Sequence, residues 1–201
     1  MNIPFCGILL IMAIVAYLIG SIPTGYIIVK LKTGQDIRTI GSGSTGATNV
    51  KRVLGKKWFF IVMLLDGIKG MIPVFFAKYF FPDIIGLCAV VAAVMVIIGH
   101  SKPLYLDFRG GKSVATGIGT LIALNPIVGV ILVGIWSVVT WFSKYVSVGS
   151  ITALIFAPIL MYLFKNPICY IAYAFVAMVY IIFLHRENIK RLIKGCENKV
   201  R

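Results

Sequence analysis

The sequence predicts an all-α integral membrane protein, a compact bundle of seven transmembrane helices, with the N-terminus outside and the C-terminus cytoplasmic. Three observations support this fold class. Apolar residues make up 60% of the chain, against about 45–50% in a typical soluble domain. Apolar runs alternate with short polar segments that contain glycine. Most of the Lys and Arg residues fall on one side when these runs are threaded through a bilayer, as the positive-inside rule describes.

The apolar runs are judged by length, because a bilayer core of about 30 Å needs about 20 helical residues. Good candidates are 4–29, 58–81, 84–99, 127–143 and 167–184. The run 148–164 is marginal and contains Pro158, and the short run 113–124 either crosses or forms a sheltered re-entrant helix. Counting every run predicts seven spans, some of them short. Leaving out the two weakest runs, 148–164 and 113–124, gives five. No repeat or linker interrupts the chain, so 1–201 is predicted to be one polytopic domain.

The charge distribution sets the orientation. Seven spans place seventeen of the 20 basic residues inside: Lys30, Lys32, Arg38, Lys51, Arg52, Lys56, Lys57, Lys102, Arg109, Lys112, Lys144, Arg186, Lys190, Arg191, Lys194, Lys199 and Arg201. A net charge of +14 would also suit a nucleic-acid binder, but such proteins rarely carry so much apolar sequence. We therefore predict no nucleic-acid partner. The expected partners are the lipid bilayer and anionic ligands or headgroups.

No metal, cofactor or disulfide is expected. The four cysteines show neither CxxC pairing nor metal-ligand spacing. Carboxylates, which hard cations prefer as ligands, are scarce around the basic loops.

The first polar cluster has the composition of a phosphate-binding loop. It contains Gly41, Ser42, Gly43, Ser44, Thr48 and Asn49, followed by Arg52. GxGxxG occurs formally, but a dinucleotide site needs a preceding strand, and a Walker loop needs a lysine where Ala47 stands. Glycines can still turn backbone N–H groups inward, and small hydroxyls add donors. This cluster is predicted to be an anion site rather than an ordinary flexible loop.

The second cluster begins with His100 and ends with Gly110, Gly111 and Lys112 at the start of a helical run. Paired glycines and a lysine before a helix again describe an anion site. Positive-inside anchoring would explain the charges but not the glycines. The six residues between His100 and Asp107 rule out an HxxxxD dyad.

The third cluster follows the last span. If that helix continues, His185 and Asn188 share one face and point toward the inner membrane surface. Both are predicted to have a site role, whereas Lys190, Lys194 and Lys199 are expected to lie on anionic lipid. Ser147 and Ser150 bring two further hydroxyls to the same side.

Two charges are predicted to lie inside the second span. Asp66 and Lys69 are three residues apart and can pair on one helical face. Charged groups within a span suggest function, but an internal ion pair that supports the site explains them equally well. Pro23, between Ser21 and Gly25, is expected to kink the first helix or free its carbonyls.

Taken in order, these clusters resemble one family, the bacterial acyl-phosphate-dependent glycerol-3-phosphate acyltransferases of the PlsY type. The resemblance covers nearly the whole chain. Its motifs are Ser21–Gly25, Asp36–Arg38, Gly41–Gly43, Gly46–Asn49, Arg52, Gly99–His100, Pro103, Phe108, Gly110–Lys112, Ala115–Thr116, His185–Asn188, Arg191–Leu192 and Gly195. Three positions depart from the family pattern: Ser44 replaces Asn, Arg109 replaces Lys and Ser113 replaces Gly.

The resemblance implies acyl transfer from acyl phosphate to the 1-hydroxyl of sn-glycerol 3-phosphate, at the cytoplasmic face of a bacterial inner membrane. The first loop with Arg52 would hold one phosphate, and Lys112 with its glycines the other. Ser42 would hydrogen-bond substrate, with His100 and Ser150 also at the binding site. His185 would orient or deprotonate the glycerol hydroxyl, assisted by Asn188, although substrate phosphate is also a credible base. A soluble enzyme supplying acyl phosphate would be a metabolic neighbour.

A small anion transporter or channel is the alternative function. Asp66, Lys69 and the kinked first helix would then line a path through the membrane. Two features weigh against it: the polar residues crowd one face, and the spans show no inverted repeat.

Overall fold

The computed structural model describes residues 4–82 and 86–200. Within them the chain forms ten α-helices, here α1 to α10. Their bounds are Phe5–Ser21, Thr24–Thr33, Ala47–Leu54, Lys56–Phe80, Leu87–Ser101, Val114–Leu124, Pro126–Ser143, Val146–Leu163, Ile168–Leu184 and Arg186–Ile193. The start of the predicted span 84–99, at 84 and 85, lies outside the described residues, as does Arg201.

Each predicted apolar run folds mainly into helix where described, which confirms the all-α membrane fold class. Five helical segments are long and apolar enough to cross a membrane, or six if α9 and α10, bent by 59°, form one span. The eleven-residue α6 is about 16 Å long, about half a hydrocarbon core. The count of seven spans and the orientation of the termini remain predictions.

The chain divides into two compact units, Met1–Thr120 and Leu121–Arg201. In the first, α1 and α5 cross with backbones in close contact. A Cβ at Gly20 would collide with the Val96 carbonyl, and one at Gly99 with the Tyr17 carbonyl. Small residues at such crossings allow tight helix packing in a membrane.

The first helix breaks at Pro23, as predicted. α1 ends at Ser21 and α2 begins at Thr24, so residues 4–29 are not one continuous helix. The Ile22 carbonyl is freed from helical pairing and accepts a hydrogen bond from Lys69 Nζ at 2.7 Å.

A small apolar core lies beneath the first polar cluster. Val29, Ile37, Val50 and Val62 are fully buried together. Trp58 and Tyr26 pack against this core. Removing these side chains from water anchors α3 on α2 and α4, and α3 is the helix that carries Asn49 and Arg52.

The second unit contains the α7–α8 helical hairpin and α9. α7 is capped by Asn125, whose Oδ1 accepts hydrogen bonds from the amides of Ile127 and Val128. Gly149 of α8 packs against Thr140 and the Trp136 carbonyl of α7. α9 does not continue into α10, so the prediction of one continuous helix was wrong. His185 Nδ1 bonds the Ile181 carbonyl at 2.8 Å and occupies the end of α9.

Candidate functional site

The loop from Gly41 to Gly46 is organised around one buried amide. Asn49 is 1% exposed. Its Nδ2 donates to the carbonyls of Ile37, Ile40 and Ser44 at 3.3, 2.9 and 3.0 Å. Its Oδ1 accepts from the Ser42 amide at 3.0 Å and lies 3.5 Å from an Arg52 nitrogen. Asn49 therefore fixes the path of the whole loop.

Two glycines make this path possible. Gly41 and Gly43 have φ of +60° and +68°, in the left-handed region that glycine adopts without strain. A Cβ at Gly41 would also collide with Asn49 Oδ1. The loop therefore needs glycine at Gly41 both for its backbone angle and for space.

Most of the other residues of the first cluster are at least partly exposed at the surface of the structure. Gly41, Ser42, Gly43 and Arg52 are exposed. Ser44 and Thr48 are half-buried, and Ser44 Oγ accepts a bond from the Gly46 amide at 3.3 Å. Small hydroxyls, flexible glycines and a guanidinium are thus available to an anionic ligand at one surface.

Arg38, three residues before the first cluster, contacts the second cluster, a role that the sequence interpretation missed. Its guanidinium grips Asp36 in a bidentate ion pair with a closest distance of 2.8 Å. It also reaches the Leu106 carbonyl at 3.4 Å and the Asp107 carboxylate at 3.6 Å. Hydrogen bonding to Arg38 lowers the pKa of Asp36. The only sequence signal for this ion pair was the spacing of two residues between Asp36 and Arg38. The partners of Arg38 in the second cluster lie 68 and 69 positions further on.

The second cluster folds back onto the end of α5. The Gly110 amide donates to the Ser101 carbonyl at 3.2 Å, and the Gly111 amide to the His100 carbonyl at 3.1 Å. A Cβ at Gly110 would collide with the His100 carbonyl and the Pro103 ring. The glycines therefore bring the segment that ends in half-buried Lys112 against α5, immediately before α6.

Ser113 stands where the family resemblance leads us to expect glycine. Its φ is +59°, a backbone region that suits glycine. Its hydroxyl donates to the Ile97 carbonyl at 2.9 Å. The serine therefore has a strained backbone conformation. Its hydroxyl adds a side-chain hydrogen bond to α5 beyond the backbone hydrogen bonds of Gly110 and Gly111.

Beneath both clusters lies a buried polar network. Lys69 Nζ is 2.8 Å from Asp66 Oδ1, with both side chains less than a tenth exposed, so the predicted pairing is confirmed. Thr24 donates to the same carboxylate oxygen, and His100 Nδ1 lies 3.6 Å from it. The group surrounds a narrow cleft that also includes Ser21 and Thr45.

The second unit carries the third cluster, where His185 is 4% and Asn188 8% exposed. A carbonyl oxygen can only accept a hydrogen bond, so His185 Nδ1 must carry the proton in its bond to Ile181. In the neutral imidazole the lone pair is then on Nε2. This tautomer is chemically competent to take up a proton at Nε2.

Glu197 accepts hydrogen bonds from Asn188 and from two other side chains. Its carboxylate accepts from Asn188 Nδ2 and Arg191 Nε, both at 2.6 Å, and from Ser147 Oγ at 3.1 Å. The sequence interpretation had not singled it out as a site residue. Two of its partners lie only nine and six positions before it, but its Ser147 partner is 50 positions away.

Ser150 is engaged inside its own unit. Its hydroxyl donates to the Val146 carbonyl at 2.8 Å and accepts from the Trp136 indole at 3.3 Å. It is 2% exposed, and its predicted contact with substrate remains a prediction.

We expect Glu197→Gln to loosen the third cluster. Burial raises the pKa of Glu197, but hydrogen bonds from Asn188 and Arg191 outweigh this effect and lower it overall. A lowered pKa means that the stabilisation is present above the unfolded-state pKa and is lost as pH falls through the folded-state value. The variant should lose about 1–2 kcal/mol near neutral pH. Thermal unfolding in detergent from pH 7 to 3 should show a smaller acid-induced decline than wild type.

The matched control for that measurement is Glu187→Gln, because Glu187 is exposed and pairs with Lys190 across one helical turn. Its unfolding temperature should match that of wild type near neutral pH. An equal loss in both variants would contradict the special role of Glu197.

Together, the fold and these clusters define an integral membrane protein whose helix ends carry glycine-rich, cation-bearing loops of the kind that bind phosphate. The sequence model of the glycerol-3-phosphate acyltransferase family matches residues 10–195. The chain therefore belongs to the glycerol-3-phosphate acyltransferase family and is an acyltransferase.

Relatives named glycerol-3-phosphate acyltransferase align along nearly the whole chain. That of Trichormus variabilis is 41% identical, over 97% of this chain and 92% of the relative. That of Clostridioides difficile is 40% identical, over 95% of each. This similarity extends across all three clusters rather than one motif.

Two crystal structures of PlsY (YgiH), an integral membrane glycerol 3-phosphate acyltransferase, share this fold. The glycerol 3-phosphate form superposes with a TM-score of 0.92 at 40% identity, covering 96% of each chain. The lysophosphatidic acid form gives 0.89 at 38% identity, covering 96% of this chain and 95% of that one.

Proposed function

We propose that this protein transfers a fatty acyl group from acyl phosphate to the 1-hydroxyl of sn-glycerol 3-phosphate, giving lysophosphatidate and inorganic phosphate. The similar crystal structures are described with glycerol 3-phosphate and with lysophosphatidic acid. The first is the acceptor and the second the product of this reaction. The protein would act at the cytoplasmic face of a bacterial inner membrane, where positive-inside orientation places its basic loops.

One observation carries the proposal. The first unit carries two separate glycine-rich, cation-bearing clusters, and Arg38, three residues before the first, contacts the second. Both proposed reactants carry a phosphate, and two anion sites meet that requirement. The Gly41–Thr48 loop with Arg52 would hold one phosphate, and Lys112 with Gly110 and Gly111 the other. Asn49 would act by shaping the first loop, and Ser42 by donating to substrate.

The donor is proposed to be acyl phosphate because it is a mixed anhydride with a good leaving group. The glycerol oxygen attacks the acyl carbon, the bond from that carbon to the phosphate oxygen breaks, and phosphate departs. Such a substrate needs positioning and charge stabilisation more than a protein nucleophile. A soluble enzyme that makes acyl phosphate would then be the metabolic supplier.

The hydroxyl proton is proposed to go to His185 Nε2 or to substrate phosphate. The bond between His185 Nδ1 and Ile181 supports the first route, since it places the lone pair on Nε2. Asn188 would orient substrate, and its own amide is oriented by Glu197.

The proposed function is tested with the purified protein in detergent. Palmitoyl phosphate is supplied with and without glycerol 3-phosphate, and phosphate release and lysophosphatidate are measured. Release should depend on the acceptor. Arg52→Ala should lower kcat/KM by about tenfold to a hundredfold, because charge-assisted hydrogen bonds to phosphate are lost. Lys57→Ala, which removes an exposed cation just beyond α3, is the matched control and should retain wild-type turnover.

Two outcomes would contradict the proposal. Transfer from palmitoyl-coenzyme A but not from palmitoyl phosphate would remove the acyl-phosphate donor. Lack of any transfer to glycerol 3-phosphate from either donor would remove the acceptor as well.

We expect His185→Ala to lower kcat by about a hundredfold, at the lower end of general-base effects because substrate phosphate can also accept the proton. Turnover is measured at saturating concentrations of both substrates. His185→Gln, which cannot act as a base, should be equally slow. Near-normal kcat in either variant would exclude the direct role of histidine and leave substrate phosphate as the base.

A further inference from the structure

His100 stands out as a buried histidine with an unsatisfied nitrogen. It lies in the last turn of α5 and is 7% exposed. Its Nδ1 has no hydrogen-bond partner within residues 4–82 and 86–200, and Asp66 Oδ1 lies 3.6 Å from it. Leaving a buried polar atom unpaired is unfavourable, so the hydrogen bonding of this ring does not account for its buried placement.

The ring fills the space beside Gly111. A Cβ at Gly111 would collide with His100 Nε2, and the next nearest atoms, at 3.1 Å, also belong to the imidazole. The backbone of Gly111 lies outside the left-handed region, so the restriction on this position comes from space rather than from backbone angle, and the imidazole supplies the three nearest atoms. The His100 carbonyl accepts the Gly111 amide at 3.1 Å. His100 thus contacts this glycine through both its side chain and its backbone.

The opposite edge of the ring faces a fixed charge. Asp66 Oδ1 is held by Lys69 at 2.8 Å and by the Thr24 hydroxyl. Lys69 is in turn held by the freed Ile22 carbonyl. These contacts connect the break in the first helix, through Asp66 and His100, to the Gly110–Lys112 segment.

We propose that His100 is a positioning residue that sets the backbone of Gly110–Lys112 by packing its ring against Gly111, rather than a residue that contacts substrate. The inference rests on the proposed function, in which this segment binds a substrate phosphate. A displaced segment would weaken binding of that phosphate and raise one KM, with less effect on kcat.

A double-mutant cycle tests the packing. Gly111→Ala adds a methyl group whose three nearest neighbours are imidazole atoms, and His100→Ala removes the imidazole. Gly111→Ala should raise the KM of one of the two substrates by about tenfold or more on the wild-type background. On the His100→Ala background, the same change should raise it less than about threefold. KM and kcat are measured separately for glycerol 3-phosphate and palmitoyl phosphate.

Gly110→Ala is the matched control. Its methyl group would meet the His100 carbonyl and the Pro103 ring, which His100→Ala does not remove. Its effect should therefore be equal on both backgrounds. His100→Asn serves as a second background if His100→Ala does not fold, because it also shortens the side chain and keeps a polar group toward Asp66.

The outcomes separate the two proposals. An active wild-type enzyme in which Gly111→Ala has the same effect with and without the imidazole would overturn the role of His100 alone. A fall in kcat without any change in either KM would also overturn it, since that pattern indicates loss of folded enzyme. A wild-type protein without acceptor-dependent turnover would remove the proposed function and this inference with it.

Discussion

Asn49→Ala is expected to lower acyl transfer by about a thousandfold or more. The side chain makes hydrogen bonds to three loop carbonyls and to the Ser42 amide from a buried position. Alanine leaves these groups unpaired, at about 1–3 kcal/mol for each group that stays buried. The loop that presents Ser42 and Arg52 should then lose its conformation. Initial rates of phosphate release from palmitoyl phosphate would measure the loss.

Asn49→Asp tests the amide donor of Asn49 separately from its oxygen. It retains an oxygen for the Ser42 amide but replaces the donor that faces three carbonyls with a second acceptor. We expect it to be as inactive as alanine. Asn166→Ala is the control for loss of an amide elsewhere, because Asn166 bonds Asn125 and the Met161 carbonyl within the second unit. Full activity of Asn49→Asp would show that the loop does not depend on the donor.

Asp66→Ala is expected to destabilise the protein by about 3–5 kcal/mol, the typical cost of removing one partner from a buried ion pair. Lys69 would remain less than a tenth exposed, with only the Ile22 carbonyl to compensate its charge. Thermal unfolding in detergent measures the loss. The double variant Asp66→Asn/Lys69→Met should regain much of the stability, because neither charge is then buried.

Asp107→Ala is the matched control for the loss of a carboxylate. Asp107 is also paired with an arginine, at 3.6 Å, but its side chain is 91% exposed. Surface ion pairs contribute at most about 1 kcal/mol, so the change in unfolding temperature should be small. If both carboxylates proved equally dispensable, the buried network would not be a structural support.

The membrane fold was predictable from local properties of the chain. Apolar runs of sufficient length appear directly as helices such as Lys56–Phe80 and Pro126–Ser143. The break at Pro23 and the pairing of Asp66 with Lys69 were also predictable, since both depend on residues within one turn or one helical face. The bend at His185 was not. It involves a ring nitrogen bonded to the Ile181 carbonyl, a choice that helical periodicity does not encode.

The residue types also predict the chemical character of the candidate site, because glycines, hydroxyls and cations together suit an anionic ligand. Which of these residues face a ligand and which hold the others in place depended on contacts between distant positions. Asn49 is turned inward to the loop, and Arg38 reaches residues 68 and 69 positions away. His100 lies between Asp66 and Gly111. Composition and spacing thus determine the membrane fold and predict an anionic ligand. Only packing in three dimensions decides the role of each side chain, because burial and hydrogen-bond partners are not properties of a residue alone.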